Sequence, residues 1–162
     1  MKQLWAPWRL EYILEGNPDE CIFCVKPTED KDRDNLILFR GKQTFIIMNL
    51  YPYANGHLMI VPYQHAENFS GLSDKVLLEL MRLTRKSEAV LKRLLSSQGF
   101  NIGINLGKAA GAGIDEHIHI HIVPRWTGDT NFMPALAETK VIPQHIWVTY
   151  DLLMPFFREE PS

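Results

Sequence analysis

Three histidines alternate with three isoleucines in the stretch His117-Ile118-His119-Ile120-His121-Ile122-Val123-Pro124-Arg125-Trp126. Successive side chains of a β-strand point to opposite faces. The pattern therefore predicts a strand whose isoleucines enter the core while its histidines line the opposite, solvated face. The outer two histidines would lie ~13 Å apart along a straight strand, too far to bind one metal ion. We therefore expect the histidines to have different tasks, with the central His119 as the working group.

An imidazole on a solvated face can bind a metal, transfer a proton or attack phosphorus as a nucleophile. The Gly/Ala-rich loop just before the histidines contains Gly111 and Gly113, which let the backbone approach an anion closely. A flexible hairpin connection would also explain these glycines. Their position directly before the histidines favours a phosphate-binding loop.

The composition limits the class of protein. The chain has 162 residues, 46% of them apolar, and a net charge of −2. These values predict one domain over 1–162 and give no basic footprint for nucleic acid. No apolar run is long enough to span a bilayer, and the first residues lack the apolar segment of a signal peptide. We expect a soluble, cytoplasmic protein with no membrane and no nucleic-acid partner.

The periodicity predicts an α+β fold with a mostly antiparallel sheet covered on one face. Strands are predicted over Leu36–Phe39, Gln43–Met48, His57–Pro62, Phe100–Gly107 and His117–Trp126. A long helix is predicted from Ser73-Asp74 until Gly99 ends it, and a second helix over His145–Phe157 that Pro155 ends or bends.

The domain core is expected at about 20–126, with a Trp/Pro-rich arm at 1–19 and a C-terminal arm at 127–162. Trp5 and Trp8 could cap the core or dock on a partner subunit, and the sequence does not separate these alternatives.

The two cysteines stand in a Cys21-x-x-Cys24 pair, which in a reducing compartment suggests metal or redox chemistry. Together with His65 and one histidine of the triple-histidine strand, they would form a Cys₂His₂ set that suits zinc. A pair of half-buried thiols remains the alternative.

The run His117-Ile-His119-Ile-His121-Ile-Val resembles the signature of the histidine-triad superfamily, in which histidines alternate with apolar residues. Asn49, the block Gly56–Pro62 and Asn105 also match the superfamily pattern. The resemblance implies a five-stranded antiparallel sheet with a long helix in each subunit, and a homodimer whose sheets join.

The resemblance also implies roles for individual residues in an adenine-nucleotide site. His119 would attack the α-phosphorus of an adenine dinucleotide and form a covalent adenylyl-histidine. His121 would contact the phosphate, while His117 and His57 would hold the hydrogen bonds of the triad. Further binding residues follow from matched positions: Ile22, Phe23 and Leu50 at the adenine, Asn49 at the ribose, and Asn105, Gly111 and Gly113 at the phosphates.

In members of the superfamily that carry zinc, the metal ligands match Cys21, Cys24, His65 and His117. The resemblance therefore implies a structural zinc ion held by these four side chains, and no organic cofactor.

Flanking segments, such as Trp5-Ala6-Pro7-Trp8-Arg9 and Asn49-Leu50-Tyr51-Pro52-Tyr53, resemble the prokaryotic branch that cleaves diadenosine tetraphosphate with phosphate as acceptor, giving ATP and ADP.

Many hydrolytic members carry Gln where this chain has Gly113. The missing amide leaves space that could admit inorganic phosphate. The alternatives are a related hydrolase of dinucleoside polyphosphates or nucleoside phosphoramidates that uses water, a non-catalytic nucleotide-binding module and, disfavoured by the acidic balance, a nucleic-acid end-processing protein.

Overall fold

A computed structural model describes residues 20–111, 113–114, 116–129, 142 and 144–158. The predictions for Trp5 and Trp8, and for most of the C-terminal arm, lie outside these residues.

Five strands form one antiparallel sheet in the order β1-β2-β3-β5-β4. Their bounds are β1 Ile37–Arg40, β2 Thr44–Met48, β3 Leu58–Pro62, β4 Gly99–Gly103 and β5 Ile120–Arg125. The predicted α+β class and the five-stranded antiparallel sheet are confirmed. The nearly all-apolar third strand is central, as its composition indicates, because it pairs with β2 on one side and β5 on the other.

In the described part of the chain, three α-helices accompany the sheet: α1 Ile22–Val25, α2 Asp74–Leu95 and α3 Ile146–Arg158. Helix α2 packs on β2, β3 and β5, while α3 packs on β1 and α2. None of the helices in the described part of the chain is long and apolar enough to cross a bilayer.

Helix α2 forms where the sequence predicts it, because its apolar residues recur at helical spacing and bury one stripe, including Val76, Leu80 and Leu91. Its end differs from the prediction. The left-handed residue after the last turn is Ser96, at φ 50°, and Gly99 instead begins β4. Met81 of this helix is exposed.

The sequence predicts that Pro155 ends or bends the last helix. Pro155 does not end the helix, because α3 continues to Arg158. Tertiary contacts hold its last turn. The Phe157 side chain is buried, and Lys86 Nζ donates a 2.7 Å hydrogen bond to the Phe157 carbonyl.

The sheet is not covered on one face only. Every residue of β2 and β3 is buried, so the centre of the sheet has both faces covered. Helices α2 and α3 cover one face, and Phe23 of α1 packs on the histidines of the other. This second covering layer decides the environment of the candidate site.

Candidate active site

The triple-histidine stretch joins the sheet only from its second isoleucine onward. Ile120 is the first residue of β5, and the preceding segment is held by a 2.7 Å hydrogen bond from the Ile118 amide to the Ala66 carbonyl. Ile118, Ile120 and Ile122 are all buried, as the alternation predicts. The predicted strand over His117–Trp126 is therefore shorter, but its side-chain directions are confirmed.

The face that carries the histidines is not a solvated face. His117 is 0% exposed and His119 is 5% exposed, because the ring of Phe23 lies against both, 5.5 Å and 5.0 Å away between ring centroids. Alternation along a strand predicts which face a side chain occupies but not what covers that face. The fully buried Phe23 ring packs on the histidines, and its predicted role in an adenine pocket stays a prediction.

The hydrogen bond made by His119 defines which of its nitrogens carries the proton. Its Nδ1 lies 2.8 Å from the His117 carbonyl oxygen, which can only accept, so Nδ1 carries the hydrogen. Nε2 then bears a lone pair, and among the described residues it has no hydrogen-bond partner. Burial lowers the pKa of His119, partly opposed by the bond to His117, so the ring is neutral near pH 7. This is the protonation state of a nucleophile.

His121 carries its proton on the other nitrogen. The Tyr53 amide donates to His57 Nδ1 over 3.1 Å, so His57 Nδ1 accepts and His57 Nε2 holds the hydrogen. His57 Nε2 lies 3.0 Å from His121 Nδ1 and donates to it. The hydrogen of neutral His121 is therefore on Nε2. Burial, followed by the charge of His119, lowers the pKa of His121 to about 4.

His119 and His121 thus have opposite tautomers on rings 4.6 Å apart between centroids. One ring presents a free lone pair and its neighbour presents an N–H donor. A pair of this kind can attack an electrophilic centre and stabilise negative charge on an oxygen of the same group.

Strand pairing explains how His57 reaches His121. Met59 is opposite His121 in the β3–β5 pair, so His57, two residues from Met59, lies diagonally across from His121 on the same face. A tight turn precedes His57, whose amide donates to the Ala54 carbonyl. Gly56 has φ +75°, and a Cβ there would lie 2.5 Å from Leu95 Cδ1 of α2. The positive φ favours glycine at this link between the turn and α2, and a side chain there would displace the end of the Leu95 side chain.

A second cluster lies beside the first. The ligand atoms of Cys21, Cys24, His65 and His117 all lie within 4.8 Å of one another, so the cluster could hold a metal ion. His117 Nε2 donates to the Pro62 carbonyl over 2.9 Å, which leaves the Nδ1 lone pair directed at Cys21 Sγ, 3.2 Å away. Burial, followed by the hydrogen bond with Cys21, raises the pKa of Cys24 to about 11. A bound cation would be needed to hold Cys24 as a thiolate near pH 7.

The other predicted nucleotide-binding residues lie on loops and on α1. Ile22 and Asn105 are half-buried, while Leu50, Gly111 and Gly113 are exposed. Asn49 Oδ1 accepts the Tyr51 amide over 2.9 Å, and its Nδ2 lies 3.4 Å from His57 Nδ1. The structure thus places Asn49 beside His57. Among the described residues, no hydrogen bond joins Asn105 or the two glycines to the histidines, so their predicted roles stay predictions.

Sequence reasoning missed the contribution of backbone groups. The Tyr53 amide and the carbonyls of Pro62 and His117 decide the tautomers of His57, His117 and His119, respectively. Every residue has an amide or a carbonyl, so residue type carries no signal of these contacts. Tyr53 could have been noticed only as an aromatic residue four positions before His57.

Comparisons with known proteins agree with this geometry. The HIT domain matches residues 30–128 of the chain. The AP-4-A phosphorylase of Mycobacterium tuberculosis is 38% identical, with 99% of this chain and 87% of that protein covered. The asymmetrical bis(5'-nucleosyl)-tetraphosphatase of Schizosaccharomyces pombe is 31% identical over 57% of this chain and 50% of that protein. The chain therefore belongs to the HIT domain family, the histidine-triad proteins that the sequence resembles.

The same fold is found in a solved structure. A Zn-bound histidine triad family protein from Mycobacterium smegmatis superimposes with a TM-score of 0.69 at 24% identity, covering 85% of this chain and 93% of that one. At this identity the likeness shows the fold.

The lowered pKa of His121 makes stability depend on pH. An unfolded histidine titrates near its ordinary pKa of 6.5, whereas His121 in the fold titrates at about 4. Between these values the unfolded chain binds more protons, so the free energy of unfolding falls as the pH is lowered from about 6.5 to about 4. We expect His121→Asn to flatten this dependence in urea denaturation between pH 7 and pH 5. An unchanged slope in His121→Asn would contradict the assignment.

Proposed function

We propose that this protein is a nucleotidyltransferase that cleaves diadenosine tetraphosphate by phosphorolysis to ATP and ADP through a covalent adenylyl-histidine. The observation that carries the proposal is the pair of opposite tautomers on His119 and His121, 4.6 Å apart. The 38% identity to the AP-4-A phosphorylase of Mycobacterium tuberculosis over nearly the whole chain supports the choice of substrate and acceptor.

In the first displacement the lone pair of His119 Nε2 attacks the α-phosphorus. A P–N bond forms, and the bond from that phosphorus to the bridging oxygen breaks, so the electron pair leaves with ATP. His121 Nε2–H donates a hydrogen bond to a phosphoryl oxygen, where negative charge is stabilised in the transition state. The departing polyphosphate is a stable anion, and His121 therefore does not have to give up its proton.

In the second displacement an oxygen of inorganic phosphate attacks the same phosphorus. The new P–O bond completes ADP, and the P–N bond breaks so that its electron pair returns to His119 Nε2. The enzyme is then ready for another cycle. Neither displacement requires an organic cofactor.

The space around Gly113 supports phosphate as the acceptor. Gly113 is exposed, and apart from its chain neighbours no atom of the described residues lies within 4 Å of the position where its Cβ would be. Gly111 is equally open and adopts φ +79°, a conformation in which backbone amides can be turned toward an anion. The second candidate function is hydrolysis by water, which the name of the Schizosaccharomyces pombe relative favours.

The remaining predicted contacts form part of the proposal. Ile22 and Leu50 would contact the adenine, Asn49 the ribose, and Asn105 with the Gly111–Gly113 loop the phosphates. Phe23 would act beneath the site by packing on His117 and His119. The cytoplasmic location expected from the sequence stays a prediction.

Trapping the intermediate tests the mechanism. Under single-turnover conditions without phosphate, adenine-labelled diadenosine tetraphosphate should leave a base-stable, acid-labile label on the protein. His119→Ala should show no label and lose turnover by roughly 10³-fold or more, because the nucleophile is removed. The exposed-histidine control His145→Ala should label normally. Cleavage by the wild type without any covalent label would contradict the proposal.

Adding phosphate separates the two acceptors. Millimolar phosphate should remove the adenylyl label from the protein as ADP. The products of steady turnover should be ATP and ADP. If phosphate changes neither the rate nor the products, and AMP is released, the hydrolase is the correct function.

We further propose that the metal of the second cluster is structural zinc. Two thiolates and two imidazoles form the donor set that tetrahedral Zn²⁺ prefers, and the Nδ1 lone pair of His117 already faces the cysteines. Bound zinc would tie Cys21 and Cys24, at the start of α1, to His65 after β3. Because the His117 carbonyl orients His119, this tie would also steady the nucleophile.

Replacing His65 tests the zinc assignment away from the nucleophile, because His65 is exposed and lies at the edge of the cluster. Wild type should contain about one zinc per chain by elemental analysis. His65→Ala should lose most of that zinc and melt at a lower temperature, whereas His145→Ala should retain both properties. Full zinc content in His65→Ala would remove this residue from the site.

We also propose a homodimer in which β4 is the joining edge. Among the described strands β4 pairs only with β5, so its other edge offers unpaired backbone groups. Ile102 on this strand and Leu106 just after it are exposed, as are Leu78 and Met81 of α2. Sedimentation at micromolar concentration should give about twice the chain mass of 18.7 kDa, and Ile102→Glu should shift the protein toward monomer. A monomeric mass for wild type would contradict the dimer.

A further inference from the structure

The side chain of Tyr53 covers the pair His57–His121. Its ring lies 4.6 Å from the His57 ring and 6.0 Å from the His121 ring between centroids, with an angle of 22° to the latter. We propose that Tyr53 is a positioning residue that holds His57 and His121 in the tautomers that point the His121 N–H at the substrate. The inference deepens the proposed function and rests on it for the identity of the substrate.

The backbone of Tyr53 supplies the first restraint. An amide N–H can only donate, so its 3.1 Å contact excludes a proton on His57 Nδ1. If His57 adopted the other tautomer, two N–H groups would face each other there. The Asn49 amide nitrogen, 3.4 Å from the same atom, is a second group that can donate to it. His57 must then donate from Nε2 to His121.

The ring of Tyr53 supplies the second restraint. It lies against both imidazoles, tilted by 46° to the His57 ring and stacked at 22° to the His121 ring, and His57 is fully buried while Tyr53 itself remains 50% exposed. The ring therefore lies between solvent and the 3.0 Å hydrogen bond that joins His57 to His121. Water that reached this bond would compete for both nitrogens, and it would stabilise a charged His121. The lowered pKa of His121, caused mainly by burial, is consistent with this shielding.

One residue thus provides both restraints, because the stacked ring anchors the loop that presents the amide. Truncating the ring should loosen the amide and admit water together. The His121 N–H would then no longer be held toward a phosphoryl oxygen. Since that donor matters most in the transition state, the loss should fall on kcat more than on KM.

The test compares Tyr53→Ala, Tyr53→Phe and the control Phe69→Ala, which removes another half-exposed aromatic ring, 43% exposed, outside the site. In turnover of diadenosine tetraphosphate with phosphate, we expect Tyr53→Ala to lower kcat by roughly tenfold to hundredfold with little change in KM. Tyr53→Phe, which keeps the ring and the amide, and Phe69→Ala should stay within about twofold of wild type.

Nitrogen NMR of ¹⁵N-histidine-labelled protein provides a readout that does not depend on turnover. Near pH 7 the wild type should show His57 and His121 protonated on Nε2 only. Tyr53→Ala should give averaged or mixed tautomer signals for these two residues. Tyr53→Phe and Phe69→Ala should keep the wild-type signals.

Several outcomes would overturn the inference. A wild-type His57 or His121 protonated on Nδ1 would do so, as would Tyr53→Ala with unchanged tautomers and kcat. If Tyr53→Phe lowers kcat as much as Tyr53→Ala does, the effect comes from the hydroxyl, and the proposed role of the ring is wrong. If Tyr53→Ala does not fold, Tyr53→Leu keeps apolar bulk without a planar ring and is judged by the same readouts. A wild type with the expected tautomers but no turnover of this substrate would refute the proposed function while leaving the positioning role in place.

Discussion

The hydrogen bond between His119 Nδ1 and the His117 carbonyl is the contact on which the site depends. Because Nδ1 donates in this bond, the proton of neutral His119 is on Nδ1. The lone pair is therefore on Nε2. The donor and the acceptor are only two residues apart, so the bond needs little chain closure. What it does need is a fixed His117, and the fold provides this through the Pro62 carbonyl on one nitrogen of His117 and the cysteines beside the other.

Burial gives the three histidines of this motif their chemistry. A histidine in water near neutral pH is partly charged and exchanges its proton freely between two nitrogens. Here burial is the first cause of the lowered pKa of His117, His119 and His121. Neutral rings can be held in fixed tautomers by their hydrogen bonds, so one residue type provides lone pairs on His117 Nδ1 and His119 Nε2 and an N–H donor on His121 Nε2. The energetic cost of burying polar rings is offset because each ring makes a hydrogen bond.

The sheet brings these groups together from distant parts of the sequence. His57 and His121 are 64 residues apart and meet because β3 pairs with β5. Cys21 and His117 are 96 residues apart and meet because α1 packs beside the start of β5. Gly56 shows how closely this assembly is packed, since a side chain at the turn before His57 would meet the ends of Leu91 and Leu95 of α2. The turn, the long helix and the site are therefore parts of one packed unit.

Much of this could be predicted from the sequence alone. The alternation of His and Ile predicts that Ile118, Ile120 and Ile122 enter the core, and the spacing of the histidines argues against one shared metal; both follow from the period of a strand. Helical spacing predicts α2, and Cys21-x-x-Cys24 signals the second cluster. Only the tertiary structure decided that the histidine face is covered, that Ser96 rather than Gly99 follows the helix, and which nitrogen of each histidine carries its proton. The physical reason is that side-chain direction is a local property of the backbone, whereas burial and tautomer depend on atoms that long-range packing brings near, many of them backbone atoms that residue type does not distinguish.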